Sequence, residues 1–94
     1  MDELDRLLNS VGKKVFVRYY AWFADQRIAD SEVVEMLPHI YTLKSRRSRT
    51  SKARRIFRDG RHREALERIA NSERTEPEAT ALAARLLKSP WRQS

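Results

Sequence analysis

The chain contains no cysteine and has only two glycines and three prolines among its 94 residues. Without cysteine, neither a disulfide framework nor a thiolate metal site can form. Because glycine and proline are the residues that most often interrupt helices, their scarcity favours a helical chain. The absence of cysteine is also consistent with the reducing cytoplasm, where we expect the protein to be located.

Long apolar runs and targeting patterns are missing as well. No stretch approaches the roughly 20 consecutive apolar residues that a membrane-spanning helix needs. The opening residues MDELDRLL lack the basic and apolar regions of a signal peptide. We therefore expect no membrane partner.

The common signatures of catalysis and of cofactor binding are also absent. There is no glycine-rich phosphate loop and no nucleophile motif. Glu35 and His39 have the spacing of helical neighbours, but Pro38 should end the helix between them, and no third metal ligand follows. The acidic residues of the first half could serve a small nuclease, but no spacing fixes two of them on one metal. We predict a protein that is not an enzyme and has neither metal nor cofactor.

Helical signals recur along the chain. In TEPEATALAARLLKSP, Thr75 can cap a helix, Pro77 lies in its first turn, and Ser89-Pro90 can end it. HREALERIANS repeats the helical spacing of apolar residues, and SEVVEML forms a short helix that Pro38 stops. Segment 11–28 is rich in β-branched and aromatic residues, which suits a strand, but no second segment could pair with it, so we favour a helix.

These signals predict one all-α domain over residues 1–94. We expect a compact bundle of four to five short helices, with residues 89–94 as a flexible tail. The order of helices 31–37 and 50–59 loosely resembles a helix-turn-helix regulator. The intervening PHIYTLKSRRSR is much longer than that motif's turn of about three or four residues, however, so the strict motif is not expected.

The positive charge is concentrated in one short segment. Residues 44–63 carry ten basic side chains, eight of them arginine, against the single acid Asp59, whereas the net charge of the whole chain is +7. With so few acids available, full pairing of this segment within the protein is not expected. Such an asymmetry predicts a polyanionic partner.

Within the basic segment, residues 50–59 have the pattern of an anchored helix. Ala53, Ile56 and Phe57 form a narrow apolar stripe, and Gly60 provides a C-terminal stop. If the helix extended back through residues 44–49, Arg46 and Arg49 would point toward the core. We therefore predict that the helix begins near Ser48 or Thr50 and that residues 44–49 form a basic arm.

The most economical function for this segment is nucleic-acid binding, with duplex DNA first and RNA second, because arginine forks match phosphate oxygens and hydroxyl groups add neutral donors. The alternative is a protein–protein adaptor whose basic helix docks on an acidic partner. By analogy with small basic regulators, we also expect a homodimer. The predicted nucleic-acid-binding residues are Lys44, Arg46, Arg47, Arg49, Ser51, Lys52, Arg54, Arg55, Arg58, Arg61 and Arg63.

Overall fold

The structure is a computed structural model that describes residues 2–88. Over these residues every regular element is a helix and there is no strand, which confirms the predicted all-α class. The predicted number of helices, four to five, is wrong, because the described residues form seven. They are α1 (Glu3–Val11), α2 (Lys13–Arg18), α3 (Tyr20–Ala24), α4 (Asp30–Met36), α5 (Leu43–Arg58), α6 (His62–Ala70) and α7 (Pro77–Lys88).

The extra helices arise because the predicted central helix over 11–28 is broken. Its helical nature is confirmed, but Gly12 separates α1 from α2 with a φ of 93°, a conformation that favours glycine. Tyr19 leaves helical geometry between α2 and α3, and Asp25 is extended after α3. The Asp25 carboxylate then accepts hydrogen bonds from the main-chain N–H and the guanidinium of Arg27, which holds the following turn.

The largest correction concerns the basic segment. The helix begins at Leu43, because the Thr42 hydroxyl accepts a hydrogen bond from the Ser45 N–H at 3.0 Å and caps it. Residues 44–49 are therefore helical and do not form an arm. The end of the helix agrees with the prediction, since Gly60 follows Asp59 with a φ of 72°.

Helices α6 and α7 lie close to their predicted positions. In α6, Ala65, Leu66 and Ile69 are buried as their spacing predicted. In α7 the Glu76 carbonyl accepts the first helical hydrogen bonds, so Thr75 is not the cap, and its hydroxyl donates instead to Ser72 Oγ. The predicted end at Ser89-Pro90 and the predicted tail 89–94 lie outside the described residues.

The hydrophobic core is built around aromatic side chains of α2, α3 and α5. Phe16, Tyr20 and Phe23 are almost fully buried, and the Phe57 ring lies 5.7 Å from that of Phe16 and 5.0 Å from that of Tyr20. Burial raises the pKa of Tyr20 to about 12. Helices α1, α3 and α4 all pack against α5, so the most basic helix lies at the centre of the fold.

Candidate nucleic-acid interface

Arg46 lies on the inner side of α5, although its side chain is charged. Only 9% of the residue is exposed. Its Nη1 donates a hydrogen bond to the Val34 carbonyl at 3.0 Å, and its Nε donates to the Tyr41 carbonyl at 3.2 Å. Val34 belongs to the last turn of α4, where main-chain carbonyls have no partner within the helix. Arg46 therefore caps the C-terminal end of α4.

Arg49 has the same role at the end of α1. Its Nη1 donates to the carbonyl of Val11, the last residue of α1, at 2.6 Å, and its Nε donates to Ser45 Oγ at 3.0 Å. The guanidinium carbon lies 3.9 Å from the centre of the Tyr41 ring, a cation–π geometry. The guanidinium is thus held by a helix end, a hydroxyl and an aromatic face.

Arg54 completes this inner set. Its Nη2 donates to the Ile28 carbonyl at 2.7 Å and to the Trp22 carbonyl, in the last turn of α3, at 3.3 Å. Its Nε lies 3.4 Å from Asp30 Oδ1, and only 15% of the side chain is exposed. We call Arg46, Arg49 and Arg54 the inner arginines. Each satisfies a carbonyl at the C-terminal end of a different helix, so the three act within the protein.

The opposite side of α5 carries a continuous stripe of exposed polar and cationic side chains. The positions follow the helical repeat, and with a rise of 1.5 Å per residue the stripe is about 21 Å long. We call it the outer stripe; it consists of Lys44, Arg47, Ser51, Arg55 and Arg58.

Three cations of the outer stripe have no acidic partner. Within residues 2–88, no carboxylate oxygen lies within 4.0 Å of the charged nitrogens of Lys44, Arg47 or Arg58. Arg55 is different, because it pairs with Glu3 of α1 and lies 3.7 Å from Asp59. The outer stripe thus presents uncompensated positive charge to solvent.

The remaining predicted residues lie at the margins of this surface. Lys52 is half-buried, and its Nζ donates to Ser48 Oγ at 3.1 Å. Arg61 precedes α6 and donates two hydrogen bonds of 3.0 Å to Glu64, which raises the pKa of Arg61. The Arg63 side chain is 68% exposed and lies 3.9 Å from Glu67. Only Arg63 among these three resembles the outer stripe in exposure.

An ion-pair network that the sequence did not reveal explains why so few acids reach the outer stripe. Arg68 donates hydrogen bonds to Asp2, Asp5 and Glu64 at distances of 2.7–2.9 Å. These bonds hold the pKa of Asp2 well below its ordinary value, and the hydrogen bonds of Arg61 and Arg68 lower that of Glu64. Three acids are therefore committed to fastening the start of α1 to α6.

The fold and the outer stripe together define a class: an all-helical protein whose central basic helix exposes one cationic face. Among residues 2–88, no cluster of histidine and carboxylate side chains is placed to hold a metal ion. No helix in that range combines the length and hydropathy that a bilayer crossing requires. Comparisons with models of protein families, with curated proteins and with solved structures find no match.

Proposed function

We propose that this chain is a non-enzymatic nucleic-acid-binding protein that contacts duplex DNA through the outer stripe of α5. The observation that carries the proposal is the set of three cations, Lys44, Arg47 and Arg58, which share one exposed helical face and have no acidic partner among residues 2–88. Each phosphate that a cation neutralises releases counterions, which is the main source of affinity in such complexes.

Duplex DNA is the preferred ligand because of the geometry of a helix in a groove. An α-helix with its side chains is about 10–12 Å across, and the major groove of B-DNA is about 12 Å wide. The major groove of A-form RNA is too deep and narrow for side chains to enter. A stripe on a central helix that is rigidly packed on its other side suits the DNA groove best.

The placement of α4 supports a loose analogy with helix-turn-helix regulators. In that motif the first helix braces the second, whose N-terminal residues contact base edges. Here α4 packs against α5, and Lys44 and Arg47 lie in the first turns of α5. The connection over residues 37–42 is longer than the motif's turn. A regulatory role and a homodimer remain predictions that rest on this analogy.

The deciding experiment is fluorescence anisotropy of the full chain with a labelled DNA duplex over a range of salt concentrations. The test variant combines Lys44→Ala, Arg47→Ala and Arg58→Ala. We expect the slope of log K against log salt to become shallower by about 0.9 for each lost phosphate contact. The matched control combines Arg74→Ala, Arg85→Ala and Lys88→Ala, which removes equal charge from exposed positions elsewhere.

The outcomes separate the rival functions. Equal loss of affinity in the two triple variants would mean that net charge, rather than the outer stripe, drives binding. Strong competition by unlabelled RNA would favour RNA as the ligand. If no binding occurs even at low salt, the proposal fails, and an acidic protein that docks on the basic helix becomes the leading alternative.

A further inference from the structure

A cavity of about 310 Å³ lies between α4 and α5, next to the outer stripe. Helix α4 contributes Asp30, Val34 and Glu35 to its lining, and α5 contributes Leu43, Arg47 and Thr50. This volume lies at the lower end of the range of small-molecule sites, about 300–1,000 Å³. The cavity combines charged, hydroxyl and apolar groups, as a site for a small polar molecule requires.

A buried hydroxyl group in the lining lacks a partner. Thr50 is only 1% exposed, and its Oγ1 makes no hydrogen bond with any described residue. A helical threonine can bond the carbonyl one turn earlier, but Thr50 does not. Leaving a buried hydroxyl unsatisfied destabilises a protein, so a group from outside the chain is expected to complete its hydrogen bonding.

The charges in the lining define the ligand further. Asp30 and Glu35 are the acidic residues of the lining, but the Asp30 carboxylate already lies 3.4 Å from Nε of Arg54. Arg47 supplies a guanidinium that has no acidic partner within 4.0 Å among the described residues. A simple anion would be repelled by the carboxylates, and a simple cation by Arg47. A molecule that carries both charges satisfies both sets, while Val34 and Leu43 provide apolar contact.

We propose that this cavity binds a free α-amino acid with an aliphatic side chain. The ligand carboxylate pairs with Arg47 and accepts the hydrogen bond of the Thr50 hydroxyl. The ammonium group is held by Glu35, and the aliphatic side chain packs on Val34 and Leu43. Because Arg47 belongs to both the cavity and the outer stripe, occupancy weakens duplex binding; this consequence rests on the proposed function.

The test is a titration of the isotope-labelled full chain with L-leucine, followed by amide NMR shifts in the absence of nucleic acid. We expect shifts confined to residues 30–35 and 43–50 at millimolar leucine. Leucinamide, which lacks the carboxylate, and 4-methylpentanoate, which lacks the ammonium, should produce no comparable shifts. Equal shifts with either analogue, or none with leucine, valine or isoleucine, would overturn the proposal.

Two variants test the assigned contacts. Thr50→Val removes the hydroxyl and should weaken leucine binding about fivefold, and Glu35→Gln, which removes a charge-assisted contact, about tenfold. The matched controls are Thr80→Val and Glu73→Gln, which lie outside the cavity lining and should bind leucine as the parent does. Since the Thr50 hydroxyl is unpaired, Thr50→Val should not destabilise the free protein, so a loss of binding cannot be ascribed to unfolding. Unchanged affinity in both variants would refute the assigned contacts.

A second measurement addresses the link to nucleic acid. Saturating leucine should lower the duplex affinity in the anisotropy assay, and duplex should lower the leucine affinity by the same factor. Leucine binding without any effect on the duplex would refute the shared role of Arg47 and leave the amino-acid site intact. Leucine binding in a chain that fails to bind duplex would refute the proposed function alone.

Discussion

Arg46 and Arg47 are adjacent residues of the same type, yet one is buried and the other lies on the exposed face of α5. Arg46 is 9% exposed and donates to carbonyls of Val34 and Tyr41, whereas Arg47 is exposed and has no acidic partner among the described residues. The difference comes from helical phase alone, because one step along a helix turns a side chain by about 100°. Composition therefore cannot say which arginines of a basic segment are available to a ligand.

The inner arginines show how the centre of a small domain can hold positive charge. A guanidinium has several N–H donors, and the last turn of a helix presents carbonyls at the negative end of the helix dipole. The long aliphatic part of the side chain covers apolar surface on the way. Arg46, Arg49 and Arg54 therefore stabilise the packing of α4, α1 and α3 on α5.

The largest expected effect compares Arg46→Ala with Arg47→Ala. Arg46→Ala leaves buried carbonyls without donors, so the free energy of unfolding should fall by about 2–3 kcal/mol. Arg47→Ala should change it by less than about 0.5 kcal/mol, as is usual for exposed positions. Urea denaturation followed by circular dichroism measures both values. Equal losses in the two variants would contradict the division into inner and outer sides.

A somewhat smaller effect should result from Gly12→Ala. The backbone at Gly12 has a φ of 93°, and an added Cβ would lie 2.9 Å from Nη1 of Arg49. Strain and collision together should reduce the free energy of unfolding by about 1–3 kcal/mol. Gly60→Ala is the control, because Gly60 also has a positive φ, 72°, but apart from its chain neighbours no atom of residues 2–88 lies within 4 Å of the added Cβ.

A double mutant isolates the contribution of Arg49. If Gly12→Ala pushes the guanidinium away from the Val11 carbonyl, its cost in an Arg49→Ala background should fall toward the cost of Gly60→Ala. An undiminished cost would show that backbone strain alone is responsible. The thermal unfolding midpoints of five chains decide between the two explanations: the parent, Gly12→Ala, Arg49→Ala, the double mutant and Gly60→Ala, all measured at one protein concentration.

The smallest expected effect is a change in the free energy of unfolding with pH, caused by the protonation of His62 beside α5. The His62 ring stacks on Phe57 of α5 with centroids 4.9 Å apart, and burial lowers the pKa of His62. The unfolded chain therefore binds the proton more readily than the folded chain. The free energy of unfolding should fall as pH drops below the ordinary histidine value of 6.5, until the pH passes the lowered pKa of the folded state.

Urea denaturation at several pH values between about pH 7 and about pH 5 measures this fall. The variant His62→Phe keeps an aromatic ring against Phe57 and should show a shallower decline. A decline that His62→Phe leaves unchanged would assign the pH dependence to other groups.

Local signals predicted much of the fold. The apolar spacing in α6, Pro77 in the first turn of α7, and the stops at Pro38 and Gly60 follow from rules that involve only a few neighbouring residues. The start of α5 was missed although Thr42 is an ordinary capping residue. Arg46 and Arg49 point toward the core in a helix that starts there, and burying an arginine without a partner is unfavourable. The main-chain carbonyls that accept hydrogen bonds from these two arginines belong to other segments, so they become apparent only in the folded structure.

The sequence predicts only part of the candidate site, because its local pattern does not show which arginines contact other segments of the fold. A helical projection with about 100° per residue places Ser51, Arg55 and Arg58 on the side opposite Ala53, and all three are exposed. The same projection places Arg54 at the edge of that face, but there residues 22–30 approach α5 and bind its guanidinium. Contacts between segments distant in the sequence leave no local pattern, so a projection of one helix cannot reveal them.

The capping of three helix ends by one helix has a consequence for how the domain opens. Helices α1, α3 and α4 have nine, five and seven residues, too few to persist alone in water. Because each of them ends on an arginine of α5, distortion of α5 removes a cap from all three at once. Their amide hydrogens should consequently exchange with solvent through a shared opening of the domain, as a single cooperative unit, rather than by independent fraying of separate helices.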